Sequence, residues 1–98
     1  MSGPVDSIFD ALANPTRRRI LEKLRQGGMS AGALADAFPV SRPTMSAHFA
    51  RLKAAGLIQA ESRGTTLIYT LNLSVLEEAL MAFMTRLDIG TGKEGERI

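Results

Sequence analysis

The spacing of hydrophobic residues predicts two helices in the first part of the chain. The first helix extends from about residue 5 to residue 12, and its apolar face consists of Val5, Ile8, Phe9 and Leu12. Asn14 and Pro15 then begin a second helix. An asparagine side chain at this position accepts a hydrogen bond from a free helix amide, and a proline in the first helical position costs no hydrogen bond within the helix. This helix ends at Gly27 and Gly28, and its inward side chains are Ile20, Leu21 and Leu24.

Two further helices are predicted on either side of a tight turn. Ser30 caps a short third helix, which Pro39 ends because proline cannot continue a helix without the loss of a hydrogen bond. Ser41 caps a fourth helix, which Gly56 ends. The side chains that face the core are Leu34, Ala35 and Phe38 on the third helix and Met45, Phe49 and Leu52 on the fourth.

After Gly56 the hydrophobic period changes to that of a β-strand. Residues 66–71 alternate in the manner of a strand, residues 57–62 form its partner, and Arg63, Gly64 and Thr65 form the turn between them. Ser74 then caps a last helix that extends to about Leu87. The expected fold is mainly α with a small β-hairpin, in one domain over residues 1–88, and residues 89–98 are expected to be a disordered tail.

The order of these elements predicts a winged helix-turn-helix. Two short helices around a tight turn, followed at once by a hairpin, are the parts of that fold, and the second helix of the pair enters the major groove of DNA. If the apolar stripe of this helix faces the core, its small side chains face outward. Thr44 and Ser46 are then within reach of base edges or phosphates, and Ala47 of a thymine methyl group.

The last helix is apolar on more than one face, which predicts a second subunit. A domain of this size cannot easily cover such a helix on all sides, although one broad face packed within a monomer is the alternative. The first and last helices are therefore expected to form a homodimer interface. Its predicted members are Val5, Ile8, Phe9, Leu12, Leu76, Leu80, Phe83, Met84 and Leu87.

Composition removes several kinds of chemistry. The chain has no cysteine and one histidine, His48, so disulfides, thiolate metal sites and thiol switches are excluded and no metal or other cofactor is expected. Clustered acids, bases and nucleophiles are missing too, so we do not expect an enzyme. The apolar stretches are too short for membrane insertion, and the default location is the cytoplasm.

Positive charge lies in the middle of the chain. Residues 41–72 carry four basic side chains and one carboxylate, whereas residues 73–98 carry three basic and five acidic ones. The long donors of the middle segment are Arg42 and Arg51 on the fourth helix and Arg63 on the hairpin, where a cation can reach a phosphate or the minor groove.

Two features have both a structural and a DNA-binding interpretation. His48 lies at the edge of the core stripe, where it forms either a hydrogen bond within the protein or a contact to phosphate. The run Arg17–Arg19 is interpreted as a solvated helix face with partners such as Glu22 or Asp10, and a nucleic-acid contact is the alternative.

Several motifs, in the right order, resemble those of the ArsR family of bacterial repressors. Residues 14–21 (NPTRRRIL) resemble its second helix, residues 41–49 (SRPTMSAHF) its recognition helix, and Arg63-Gly64 with Tyr69-Thr70-Leu71 its wing. The similarity extends from about Phe9 to Phe83. Within the family the chain resembles the cysteine-free, SdpR-like autorepressors.

The resemblance implies a homodimer that represses transcription by occupying an inverted-repeat operator in double-stranded DNA, and it favours autoregulation. The DNA contacts that it implies are Ser41, Arg42, Thr44, Ser46, Ala47, His48, Arg51, Arg63 and Gly64. Many relatives release DNA on binding a metal through cysteines or histidines that this chain lacks. Release is therefore left to a regulatory protein partner, a small ligand or a change in repressor concentration. The alternative function is a winged-helix adaptor that binds protein and not DNA.

Overall fold

The computed structural model describes residues 4–90 and contains five helices and three short strands in that range. Of the predicted tail, residues 91–98 lie outside the described residues. The elements in chain order are α1 (Pro4–Leu12), α2 (Pro15–Leu24), β1 (Met29–Ser30), α3 (Ala31–Asp36), α4 (Arg42–Ala54), β2 (Ile58–Arg63), β3 (Thr66–Leu71) and α5 (Leu73–Arg86). The predicted class, mainly α with a small hairpin in a winged helix-turn-helix arrangement, is confirmed.

Three of the predicted helix caps are confirmed by their hydrogen bonds. The Asn14 side-chain oxygen accepts from the Arg17 amide at 3.1 Å, and the Ser30 hydroxyl accepts from the Ala33 amide at 3.1 Å. The Ser41 hydroxyl accepts from the Thr44 amide at 3.3 Å and so begins α4. Each bond satisfies an amide that has no partner within its own helix, which is why these helices begin where they do.

The predicted cap of the last helix is wrong. Asn72 is the residue that precedes α5, and Ser74 lies inside the first turn, where its hydroxyl donates to the Asn72 side-chain oxygen at 3.1 Å. Leu73, which is 45% exposed, is therefore helical.

The sheet has a strand that sequence patterning missed. β1 pairs antiparallel with β3, so the order is β1-β3-β2, and Met29 lies opposite Tyr69. A strand of two residues is too short to show a period. Arg63, which was expected in the turn, belongs to β2 and lies opposite Thr66. The loop is therefore only Gly64-Thr65, and Gly64 has a positive φ of 63°, as the first loop residue of a type II′ hairpin requires.

The core lies where α2, α3 and α4 meet the hairpin. Met45, Leu52 and Leu57 are fully buried, and the ring of Phe49 packs against that of Tyr69 at a centroid distance of 4.9 Å. The predicted inward stripes of α2 and α4 are thus confirmed, and so are Leu34 and Ala35 of α3. Phe38 is only partly buried against this core.

The two terminal helices contact each other and leave much of α5 uncovered. The rings of Phe9 and Phe83 meet edge to face at 5.2 Å, which joins α1 to α5. Only Ala79 of the fourteen residues of α5 is buried. Ile8, which was expected at a subunit interface, is 4% exposed because it packs into the core of its own protomer. Within residues 4–90, no helix is long and apolar enough to cross a bilayer.

Gly28 tests the close approach of β1 to β3. A Cβ atom at Gly28 would lie 3.0 Å from a Thr70 methyl carbon and 3.1 Å from an Ile68 methyl carbon. We expect Gly28→Ala to lower the free energy of unfolding by about 1–3 kcal/mol through overpacking. Gly32→Ala is the matched control in α3, because nothing lies within 4 Å of its added carbon, and it should be neutral or stabilising. Urea denaturation of both variants measures the difference, and equal stabilities would contradict the close packing of Gly28, the residue before β1, against β3.

Candidate nucleic-acid interface

The exposed side of α4 is built from small polar side chains. Because Met45, Phe49 and Leu52 are buried, the positions between them point away from the core. Thr44, Ser46 and Ala47 are all exposed, as are Ser41 and Arg42 at the beginning of the helix. Short side chains keep the surface close to the helix axis, so an approaching groove could come near the backbone.

The hydroxyl groups at the start of α4 form a local network. The Ser41 hydroxyl donates to the Thr44 hydroxyl oxygen at 2.9 Å while it accepts from the Thr44 amide. A serine hydroxyl has one proton, so Ser41 has no further donor. The Thr44 hydroxyl still has its own proton to donate. Thr44 is therefore the better candidate for a contact to an external acceptor.

All three arginines of the predicted interface form ion pairs with exposed carboxylates. Arg42 meets Asp36 of α3 at 2.5 Å, Arg51 meets Asp10 of α1 at 3.4 Å, and Arg63 meets Glu61 of β2 at 3.5 Å. More than half of each side chain is exposed, from 54% for Arg51 to 68% for Asp36. Exposed pairs of this kind contribute about 0–1 kcal/mol, so a phosphate can displace the carboxylates at little cost.

Arg63 and Gly64 lie at the tip of the hairpin, and both are exposed. Nothing lies within 4 Å of a Cβ atom built at Gly64, so the tip is open on that side. The two-residue loop places the guanidinium at the end of a rigid ladder instead of on a longer flexible turn.

His48 is half-buried and forms a hydrogen bond within the protein. Its Nδ1 lies 3.3 Å from Nη1 of Arg17. Burial, and then the nearby Arg17 charge, hold the pKa of His48 below its ordinary value of 6.5. The neutral form of the ring therefore predominates at pH 7. The hydrogen bond within the protein that was predicted for His48 is observed, and the phosphate contact stays a prediction.

Arg17 is a residue of this surface that sequence reasoning missed. Its Nε donates to the Ala11 carbonyl at 2.7 Å and its Nη2 to the Asp10 carbonyl at 3.1 Å. Arg18 likewise donates to the Leu12 carbonyl at 2.7 Å. The partners expected for the arginine run were the carboxylates of Glu22 or Asp10. That expectation is wrong for Arg17 and Arg18, because they donate to main-chain carbonyls in the last turn of α1. The only sequence signal was their position just after a helix break.

These side chains surround an open concavity of about 490 Å³ between α2 and α4. It is lined by Arg17, Thr44, Ala47, His48, Ala50, Arg51 and Ala54. The Arg51 guanidinium, the neutral imidazole and the Thr44 hydroxyl can donate hydrogen bonds into it. The Arg17 guanidinium adds a second positive charge, and the lining contains no carboxylate. The concavity is suited to an anionic group such as a phosphate. In the part of the chain that the structure describes, no three histidine or acidic side chains cluster as metal ligands would.

Comparison with known proteins identifies the class. A family described as a helix-turn-helix domain matches residues 12–59. The chain is 38% identical over 76 residues to the transcriptional repressor SdpR of Bacillus subtilis, which covers 78% of this chain and 84% of that protein.

Solved structures agree with this similarity. An ArsR-like transcriptional regulator from Rhodococcus sp. RHA1 superposes with a TM-score of 0.78 and 31% identity, covering 96% of this chain and 84% of that one. A homodimeric winged helix-turn-helix DNA-binding domain from Mycobacterium bovis superposes with a TM-score of 0.70 and 31% identity, covering 85% of this chain and 78% of that one.

The fold and the exposed α4 surface define a winged helix-turn-helix transcriptional regulator. The chain belongs to the ArsR family of these regulators. The predicted family is thereby confirmed, and so is the expectation that the chain is not an enzyme, because the family consists of transcriptional regulators.

The burial of His48, and then the nearby charge of Arg17, lower the pKa of His48 and should make stability depend on pH. Because the pKa of His48 is lower in the folded protein than its ordinary 6.5, the unfolded chain binds the proton more tightly. The contribution of His48 to stability is therefore complete above pH 6.5 and is lost as the pH falls toward the lowered folded pKa. Urea denaturation between pH 7.5 and 5.5 should show a smaller loss of stability for His48→Gln than for the wild type. Equal losses in the two proteins would contradict the shift.

Proposed function

We propose that this chain is a cytoplasmic, homodimeric repressor that occupies an inverted-repeat operator in double-stranded DNA. In this proposal the exposed side of α4 enters the major groove and reads bases, and Arg63 and Gly64 of the hairpin contact the DNA backbone or the minor groove. The proposed contacts on and next to α4 are Ser41, Arg42, Thr44, Ser46, Ala47, His48 and Arg51.

The observation that carries the proposal is the division of α4 into two sides. Its apolar stripe is buried, whereas its exposed side consists of short polar or small residues with arginines at the edges. A protein-binding adaptor would favour an acidic or apolar surface at this position. The exposed side of α4 has neither character, which favours DNA.

The uncovered face of α5 supports a dimer. Among the described residues, the exposed large apolar side chains are Leu67 and seven others, and those seven all lie between residues 73 and 89. An apolar patch of this kind marks an interaction surface. A second copy is the occupant that we propose, because the superposed Mycobacterium bovis domain is homodimeric. Leu80, Phe83, Met84 and Leu87 form its centre, with Val5, Phe9, Leu12 and Leu76 partly buried beside them.

Selection of bound fragments from the source genome tests the function directly. We expect enrichment of an inverted repeat, and an operator next to the protein's own gene would support autoregulation. Because the chain has no cysteine, we propose that release does not depend on a metal or a thiol. Binding should be the same with zinc, a chelator or an oxidant. Equal affinity for all fragments, or no binding to DNA at all, would favour the alternative function, a winged-helix adaptor that binds protein.

The α4 surface and the hairpin should contribute differently to binding. Ser46→Leu places a bulky side chain where close approach is needed, so it should weaken operator binding by about 1–3 kcal/mol per lost base contact and random DNA much less. Arg63→Ala should weaken binding to the operator and to random DNA alike, since a phosphate contact carries no base information. It should also lower the slope of log affinity against log salt concentration by about one unit. Competition binding at two salt concentrations measures both effects.

Glu61→Gln is the matched control for the hairpin. It removes the carboxylate that pairs with Arg63 and keeps the side-chain shape. It should therefore strengthen binding to both kinds of DNA, in the direction opposite to Arg63→Ala. A change of sequence preference in Arg63→Ala, combined with an unchanged preference in Ser46→Leu, would show that α4 is not the reading element.

The dimer can be tested with two leucines of similar exposure. Leu80 on α5 is 41% exposed and Leu67 on β3 is 37% exposed. Leu80→Asp should give monomers or unfolded protein, because it places a charge in the centre of the proposed interface. Leu67→Asp should leave the dimer intact. Sedimentation measures both variants, and a folded dimer of Leu80→Asp would remove the proposed interface.

A further inference from the structure

Arg17 is the one side chain in the described residues that joins the end of α1 to the proposed reading helix by hydrogen bonds on both sides. Its Nε and Nη2 donate to the Ala11 and Asp10 carbonyls, and its Nη1 lies 3.3 Å from Nδ1 of His48. Two short contacts to main chain hold the guanidinium, so its third contact has a defined direction.

The contact determines which nitrogen of His48 has the proton. An arginine side chain has donors only and stays charged, so Nδ1 of His48 must accept. The neutral ring then has its proton on Nε2. Since Nδ1 is occupied by Arg17, Nε2–H is the donor that remains for a ligand, and the ring lines the concavity between α2 and α4.

The charged groups around His48 are consistent with a neutral donor at this position. Arg17 approaches from α2, and Arg51 lines the same concavity from α4. Asp10 of α1 directs its carboxylate to Arg51 and its carbonyl to Arg17. No carboxylate contacts the imidazole in the described residues, and a proton on Nδ1 would face the guanidinium at 3.3 Å.

We propose that Arg17 is a positioning residue for DNA binding: it holds His48 in the Nε2–H tautomer, with that group directed to a backbone phosphate, and it couples this contact to the last turn of α1. The phosphate contact rests on the proposed function, because it requires that the chain binds DNA. The tautomer of His48 does not, because it follows from the contact with Arg17 alone. Arg17 acts through His48 and makes no phosphate contact of its own.

The tautomer can be measured without DNA. His48 is the only histidine of the chain, so the imidazole nitrogen signals in a ¹⁵N NMR spectrum belong to it alone. We expect the wild type above pH 7 to show a protonated Nε2 and an unprotonated Nδ1. Arg17→Met should give a mixture of tautomers. Arg18→Met is the matched control, because Arg18 also donates to a carbonyl at the end of α1 and has no contact with His48 in the structure; it should keep the wild-type spectrum.

Operator binding separates positioning from direct contact. Arg17→Met should weaken binding about tenfold, which corresponds to about 1.4 kcal/mol, and Arg18→Met should leave it unchanged. In a His48→Ala background, Arg17→Met should cost nothing further, and the salt dependence of binding should be the same with and without Arg17. Additive losses, or a salt dependence lowered by about one unit, would show that Arg17 contacts phosphate itself and would overturn the proposal.

The NMR spectrum and the binding measurement test different parts of the proposal, so each can contradict its own part independently. A wild-type spectrum with the proton on Nδ1 overturns the positioning role even if Arg17→Met does not fold, because that measurement needs no variant. A wild type with the expected tautomer that binds no DNA would contradict the proposed function and the phosphate contact, but not the Arg17–His48 geometry.

Discussion

The burial of one side of α4 is the constraint on which the rest of the surface depends. Met45 and Leu52 are completely enclosed, and Phe49 is held between the helices and the ring of Tyr69 on β3. A rotation of the helix would expose these side chains at a cost of about 1.5–3 kcal/mol each, so the stripe determines which residues face outward. The same contact with Tyr69 connects α4 to the hairpin. The two elements that would touch DNA are therefore oriented by a single core.

Electrostatics adds a second level of control to this surface. Arg42 and Arg51 have carboxylate partners on other elements, α3 and α1, and Arg63 has its partner on the same strand, β2. In the free protein these pairs restrain three long side chains and reduce the positive field around the surface. Because the pairs are exposed and weak, a phosphate can replace the carboxylate without a large rearrangement. Such counter-charges lower the affinity for any polyanion, so in the proposed complex the sequence preference would come from base contacts.

The end of α1 is the point where the proposed dimer helices and the proposed reading helix meet. Its free carbonyls accept from Arg17 and Arg18, and the Asp10 carboxylate pairs with Arg51. The opposite face of α1 reaches α5 through Phe9 and Phe83. The distance between two reading helices in a dimer, which must match the spacing of two half-sites, would therefore depend on how firmly α1 is tied to α4.

The sequence alone determined the order and type of the main helices, the position of the hairpin, the stripe of α4 and three helix caps, because these follow from local spacing and from hydrogen bonds within a few residues. It also indicated the family through motifs that lie within single elements. Only the tertiary structure decided what depends on residues far apart in the chain. β1 exists because Met29 meets Tyr69, Ile8 is buried because other helices cover it, and Arg17 reaches His48 across 31 positions. A periodic pattern shows which side of an element is apolar, but it does not show which residues of other elements pack against that side. The contact of Arg17 with His48 is of this kind, so only the tertiary structure shows it.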